Sequence, residues 1–180
     1  MRRRRLLGLT AVGAAGTAAG CLGGDDDGGG DESDGGGDEG DSEWPAGPYA
    51  DYATTTVTAE TPGGEALGAV TAAVADDRNT RRLGLSDAAS LPADGGMLFV
   101  FPSARESLTF IMPAMSFGID IVFISDDREI VVIHNAPEPA PDEDGSEQEY
   151  DGFGRYVLEV PYEWTDRHGV EVGDSVSFER

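Results

Sequence analysis

The chain has 180 residues, of which 35 are acidic and twelve are arginine, with no lysine and a formal charge of -23. That length allows one domain, and the charge disfavours basic-patch binding to nucleic acid or to an anionic membrane surface and makes acidic substrates poor candidates. An acidic surface without lysine is expected of a halophile's protein, because at 1 M salt screening over about 3 Å removes the self-repulsion.

Residues 1–20 predict a signal peptide: Arg2 to Arg5 are basic, LLGLTAVGAAGTAA (6–19) is modestly apolar, and small residues precede Cys21. The apolar part is shorter than the roughly 20 residues a membrane-spanning helix needs. Its arginines resemble a twin-arginine export signal, and TAAGC (17–21) resembles a lipoprotein processing site in which the Cys21 thiol takes the lipid. A lipid anchor on Cys21 at the extracytoplasmic face of the cell membrane is the expectation, with the membrane as partner. Residues 21–52 predict an acidic Gly/Asp-rich disordered tether. The 22 residues after Cys21 hold nine glycines, ten acids, two serines and a single leucine, so no apolar burial offsets chain entropy. DDDGGGDESD (25–34) lacks the alternating offsets of a calcium loop.

Residues 53–180 predict a β-rich domain. TTTVTAE (54–60), ALGAVTAAVAD (66–76), MLFVF (97–101), LTFIM (108–112), IDIVFI (119–124), EIVVIH (129–134), YVLEV (156–160) and SVSF (175–178) are short runs rich in β-branched and aromatic residues. SDDRE (125–129) predicts a hairpin turn. Short helices are expected at DRNTRRLGL (77–85), capped by Asn79 or Thr80, and at YEWTDRHG (162–169), stopped by Gly169. Residues 136–152, rich in proline and acids, predict a mobile loop. The fold class is mainly β: a compact β-barrel or sandwich with one or two short helices.

The succession of GMLFVF, FIMPAMSFGIDIVFI and RYVLEVPYEWTDRHGVEVGDSVSF resembles the domain-of-unknown-function 192 family, from about Val70 to Phe178. The resemblance implies a small β-rich fold and no established activity, here as a haloarchaeal-type exported lipoprotein. Of the family's F-W-M-K-N-T segment and following aspartate, Phe110, Met112 and Asp120 match, while Ile111, Pro113, Ala114 and Met115 replace the rest. The family's R-x-x-G-L-M-x-R keeps Arg81, Gly84 and Leu85 and has Ser86 and Ala88 at the other two positions.

Asp120 interrupts an apolar strand, where alternation gives Ile119, Ile121 and Phe123 one face and Asp120, Val122 and Ile124 the other. A carboxylate there needs a partner, since burying it unpaired costs several kcal/mol. Arg81 and Arg155 are the candidates. His134 and His168 lack metal-ligand spacing, no cysteine follows Cys21, and no nucleophile motif is present, so no catalytic residue, metal or cofactor is assigned. The leading expectation is a noncatalytic binding or interaction module with a candidate pocket at Phe110, Met112 and Asp120, taking a small molecule or an envelope protein. The alternative is a cell-envelope hydrolase with Asp120 as general acid or base.

Overall fold

A computed structural model describes residues 44–179. Cys21, the signal segment and most of the expected tether lie outside the described residues. Seven strands form one sheet: β1 (Thr54–Glu60), β2 (Ala66–Ala75), β3 (Gly95–Ile111), β4 (Ile119–Ile124), β5 (Ile130–Ala136), β6 (Glu149–Pro161) and β7 (Ser175–Ser177). Their order is β5-β4-β6-β3-β2-β1-β7. All pairings are antiparallel except β2 with β3, which run parallel and are joined through helix α1 (Arg78–Leu83). A second helix, α2 (Trp164–His168), lies between β6 and β7.

The sheet curls until its two edges meet at one end. Glu129 bridges Ser175, and Ile130 and Val176 donate to the carbonyls of Asp174 and Arg128 at 2.8 and 2.9 Å. The result is a half-barrel. All seven strands contribute to the apolar cluster inside the curl, which includes Val57, Val70, Leu98, Val122, Leu158 and Trp164 of α2. Gly68 permits that closure, because a Cβ there would stand 2.7 to 2.8 Å from the rings of His168 and Trp164.

The outer face is also apolar. Met97, Phe99, Ile121, Phe123 and Val157 are buried there beneath Tyr49, Leu85, Met112 and Met115. With both faces covered, β4 is buried at every position, and the predicted alternation holds: Ile119, Ile121 and Phe123 face outward, Val122 and Ile124 inward.

The structure redraws several boundaries. Packing starts ahead of residue 53: Trp44 donates to the Gly96 carbonyl at 2.9 Å, and Tyr49, only 1% exposed, sits in a 3-10 helix (Gly47–Tyr49). Two aromatic rings against an apolar sheet face explain this early start. MLFVF and LTFIM belong to one strand, β3, whose pairing with β6 shifts between Val100 and Leu108, where Pro102 has no amide to give the ladder. The expected loop is shorter, since β5 runs to Ala136 and β6 starts at Glu149. Helix α1 is capped by Asp77, whose carboxylate accepts from the amides of Asn79 and Thr80 at 2.6 and 3.1 Å.

Candidate functional site

Three segments converge on the outer face. Helix α1 and the turn after it, the far half of β3 with residues 112–115, and the end of β6 enclose a cavity of about 370 Å³. Its wall is largely aromatic and aliphatic, with Phe99, Phe110, Leu85 and Met112 among the contributors. Phe110 stands edge-on between Phe99 and Phe123, with centroids 5.0 and 5.7 Å apart, so its ring is fixed from both sides. Beneath Phe123 lies Gly152, where a Cβ would come within 2.4 Å of the ring. The two sequence blocks around Arg81–Ser86 and Phe110–Met115 therefore meet at one cavity.

Glu159 is the acid in that wall. Alternation along β6 sends Tyr156, Leu158 and Val160 inward and Val157 and Glu159 outward, between Met97 of β3 and Ile121 of β4. It is 5% exposed, and its Oε2 has no hydrogen-bond partner among the described residues. Burial pushes its pKa up to about 8, because water no longer solvates the charged form. Near neutral pH it carries its proton. Arg78, Arg81 and Arg82 line the same cavity. Arg81 is held by the carbonyls of Asp76 and Val100, the latter at 2.7 Å, and its guanidinium lies 5.2 Å from the Phe101 ring centroid. Arg78 and Arg82 are exposed.

Of the expected pocket, Phe110 and Met112 are in the wall, whereas Asp120 is not. Strand alternation separates them: Ile119 faces the cavity and Asp120 the opposite side of the sheet. Asp120 is fully buried and its carboxylate accepts four hydrogen bonds. Asn135 Nδ2 and the Glu163 amide reach Oδ1 at 2.9 and 2.8 Å, while the amide and hydroxyl of Thr165 reach Oδ2 at 2.8 and 2.7 Å. Helix α2 has no side-chain cap of its own at Glu163, whose φ is 58°, so Asp120 caps it from a neighbouring strand. The expected ion pair with Arg81 or Arg155 does not form. Backbone amides, the Thr165 hydroxyl and the Asn135 side-chain amide take its place, while Arg155 pairs with exposed Asp126 at 2.7 Å and donates to the Phe101 carbonyl.

Among the described residues no group of three or more His, Cys, Asp or Glu side chains is placed to hold a metal ion. His134 Nε2 donates to the Asp151 carbonyl and His168 Nδ1 to the Trp164 carbonyl, both at 2.8 Å. Glu159, Arg78 and Arg82 were not anticipated. The signal for Glu159 was available, since it interrupts the apolar run YVLEV as Asp120 interrupts IDIVFI.

The model of the family DUF192, described as "Uncharacterized ACR", matches residues 58–178. The chain belongs to this family. Among solved structures, a proposed transcription regulator from Sinorhizobium meliloti 1021 superposes with a TM-score of 0.63 at 30% identity, covering 71% of this chain and 95% of that one. A protein of unknown function from Novosphingobium aromaticivorans DSM 12444 shares the fold, with a TM-score of 0.62 at 24% identity over 73% of this chain and 90% of that one. No curated protein matches the DUF192 chain described here.

Proposed function

We propose that this DUF192 protein is a membrane-tethered extracytoplasmic lipoprotein whose β domain is a noncatalytic module that binds a small molecule in the cavity over Glu159. One observation carries the binding reading: a largely apolar cavity of about 370 Å³ whose wall includes Glu159, a buried acid with one carboxyl oxygen that has no protein partner among the described residues. Such concave, mostly apolar sites with one or two convergent polar groups are where ligands bind. An unsatisfied buried oxygen costs about 1 to 3 kcal/mol, which a ligand recovers by bonding to it.

The noncatalytic half rests on what accompanies Glu159. It is the only acid in the cavity wall among the described residues, and no histidine joins it. Hydrolysis by paired acid and base requires a second titratable group within reach of the reacting bond. Asp120, the residue expected to serve a hydrolase, has both oxygens occupied on the other side of the sheet. The acidic surface argues against nucleic acid as partner.

Anchorage rests on the sequence before residue 22. Cys21→Ser is expected to move the protein from the membrane fraction to the medium or leave it as an unprocessed precursor, as read by fractionation and mass. Unchanged partitioning overturns the lipid assignment. The binding assignment is tested by native mass spectrometry of the protein purified from its own host. A small molecule retained by the native chain and lost on unfolding supports it.

A further inference from the structure

We infer that the cavity takes a small amphipathic anion, with its apolar body against Phe99, Phe110 and Met112, its carboxylate or phosphate head on Arg78 and Arg82, and a hydrogen-bond acceptor at Glu159. This rests on the reading of the cavity as a binding site and adds the ligand's chemistry to it. Net charge alone argues the reverse, since an acidic protein repels anions at long range. Local placement decides otherwise. After Cys21 the chain has eight arginines against 35 acids, and three of those arginines fall within five consecutive residues at this cavity.

Arg81 is committed to the Asp76 and Val100 carbonyls. Arg78 and Arg82 have no ion-pair partner among the described residues and stand at the exposed edge of the wall. A cationic ligand would meet three guanidinium groups, two of them at the solvent-exposed edge, and like charges repel. An anion gains from the same groups, and guanidinium suits carboxylate and phosphate through paired donors. Deeper in the wall, protonated Glu159 presents a donor, so an entering anion meets no second negative charge. Apart from Ser86 and Thr109 the rest of the wall carries no polar side chain, which favours an apolar body on the ligand.

The test uses calorimetric titration of the full chain with octanoate, octanol and octylamine, and with an Arg78→Gln/Arg82→Gln double variant. Octanoate is expected to bind roughly ten-fold tighter than either other probe, one charge-assisted contact's worth. The double variant should lose that preference while still binding octanol, which also shows that it folds. Octanoate binding should weaken above about pH 8, as Glu159 ionises; Tyr49, whose phenol interacts electrostatically with Glu159, is pushed up to about 12 by burial and stays neutral there. Equal or tighter binding of octanol or octylamine overturns the anion inference and leaves the binding reading intact, as does an unchanged preference in the double variant. Arginine-dependent sedimentation with phosphatidylglycerol vesicles, without octanoate binding, also overturns it, in favour of a membrane headgroup. If no probe binds and the native protein retains no small molecule, the binding reading falls as well.

Discussion

Asp120 and Glu159 lie on adjacent strands, one register step apart, since Ile121 pairs with Glu159 and Asp120 with Val160. Both interrupt apolar runs, both are buried, and they face opposite sides of the same sheet. Asp120 is saturated by four donors that fix the start of α2. Glu159 has an oxygen with no hydrogen-bond partner among the described residues and belongs to the wall of a cavity. The difference separates a carboxylate that holds the fold together from one that the fold leaves available. Burial alone distinguishes neither; the count of satisfied lone pairs does.

Asp120→Asn is expected to undo that saturation. The amide nitrogen would face groups that are themselves donors, leaving hydrogen bonds unmade inside the core. The expected loss is roughly 3 to 5 kcal/mol in urea unfolding, with octanoate affinity per folded molecule unchanged. An unaltered unfolding curve would remove Asp120 from its structural role.

Glu159→Gln should act in the opposite sense, and only over part of the pH range. In the unfolded chain Glu159 titrates near 4.5 and in the folded protein near 8. Between those values the folded state holds a proton that the unfolded state has released, so stability falls as pH rises through this window and levels off above it. From pH 5 to pH 7 this costs about 2 to 3 kcal/mol. Glutamine cannot ionise, so the variant should gain on the native protein by that amount over the same interval. Asp77, held low by the Thr80 amide, and Asp144, held low by the Ser146 hydroxyl, lose stability as pH falls. They cancel in the comparison because both proteins contain them. A constant difference between the two proteins across pH 5 to 7 would show that Glu159 is ionised in the fold.

Much of the fold was legible because β-branched and aromatic runs mark strands whatever their partners: β1, β2, β4 and β5 fall where TTTVTAE, ALGAVTAAVAD, IDIVFI and EIVVIH predict. Contacts distant in sequence were not legible. Tyr49 is ordered by a sheet face built from residues about 50 to 110 positions later, and nothing in the local run AGPYADY announces it. The strand face of Asp120 followed from period-two alternation, but its partners did not, because backbone amides at Glu163 and Thr165 have no signature in side-chain identity. An arginine would satisfy the carboxylate through charge, and donors without charge answer the same need. Phe110 and Met112 line the cavity; Glu159 was missed because YVLEV marks a strand by its apolar and aromatic composition, which does not announce that the acid within it is buried.

The smallest expected effect isolates one of those uncharged donors. Thr165 is buried and reaches Asp120 twice, through its amide at 2.8 Å and its hydroxyl at 2.7 Å. Thr165→Val keeps the branched shape and the amide while deleting the hydroxyl, so it removes one of four donors without opening a cavity. Loss of a single hydrogen bond to a buried carboxylate is worth about 1 to 2 kcal/mol. Thr165→Ser, which retains the hydroxyl and gives up a methyl, should keep most of that stability. Combined with Asp120→Asn, the valine change should cost less than it does alone, because the bond it deletes is already compromised. Full additivity in that double-mutant cycle would mean that the hydroxyl stabilises α2 independently of Asp120, and the carboxylate would then cap the helix through backbone amides alone.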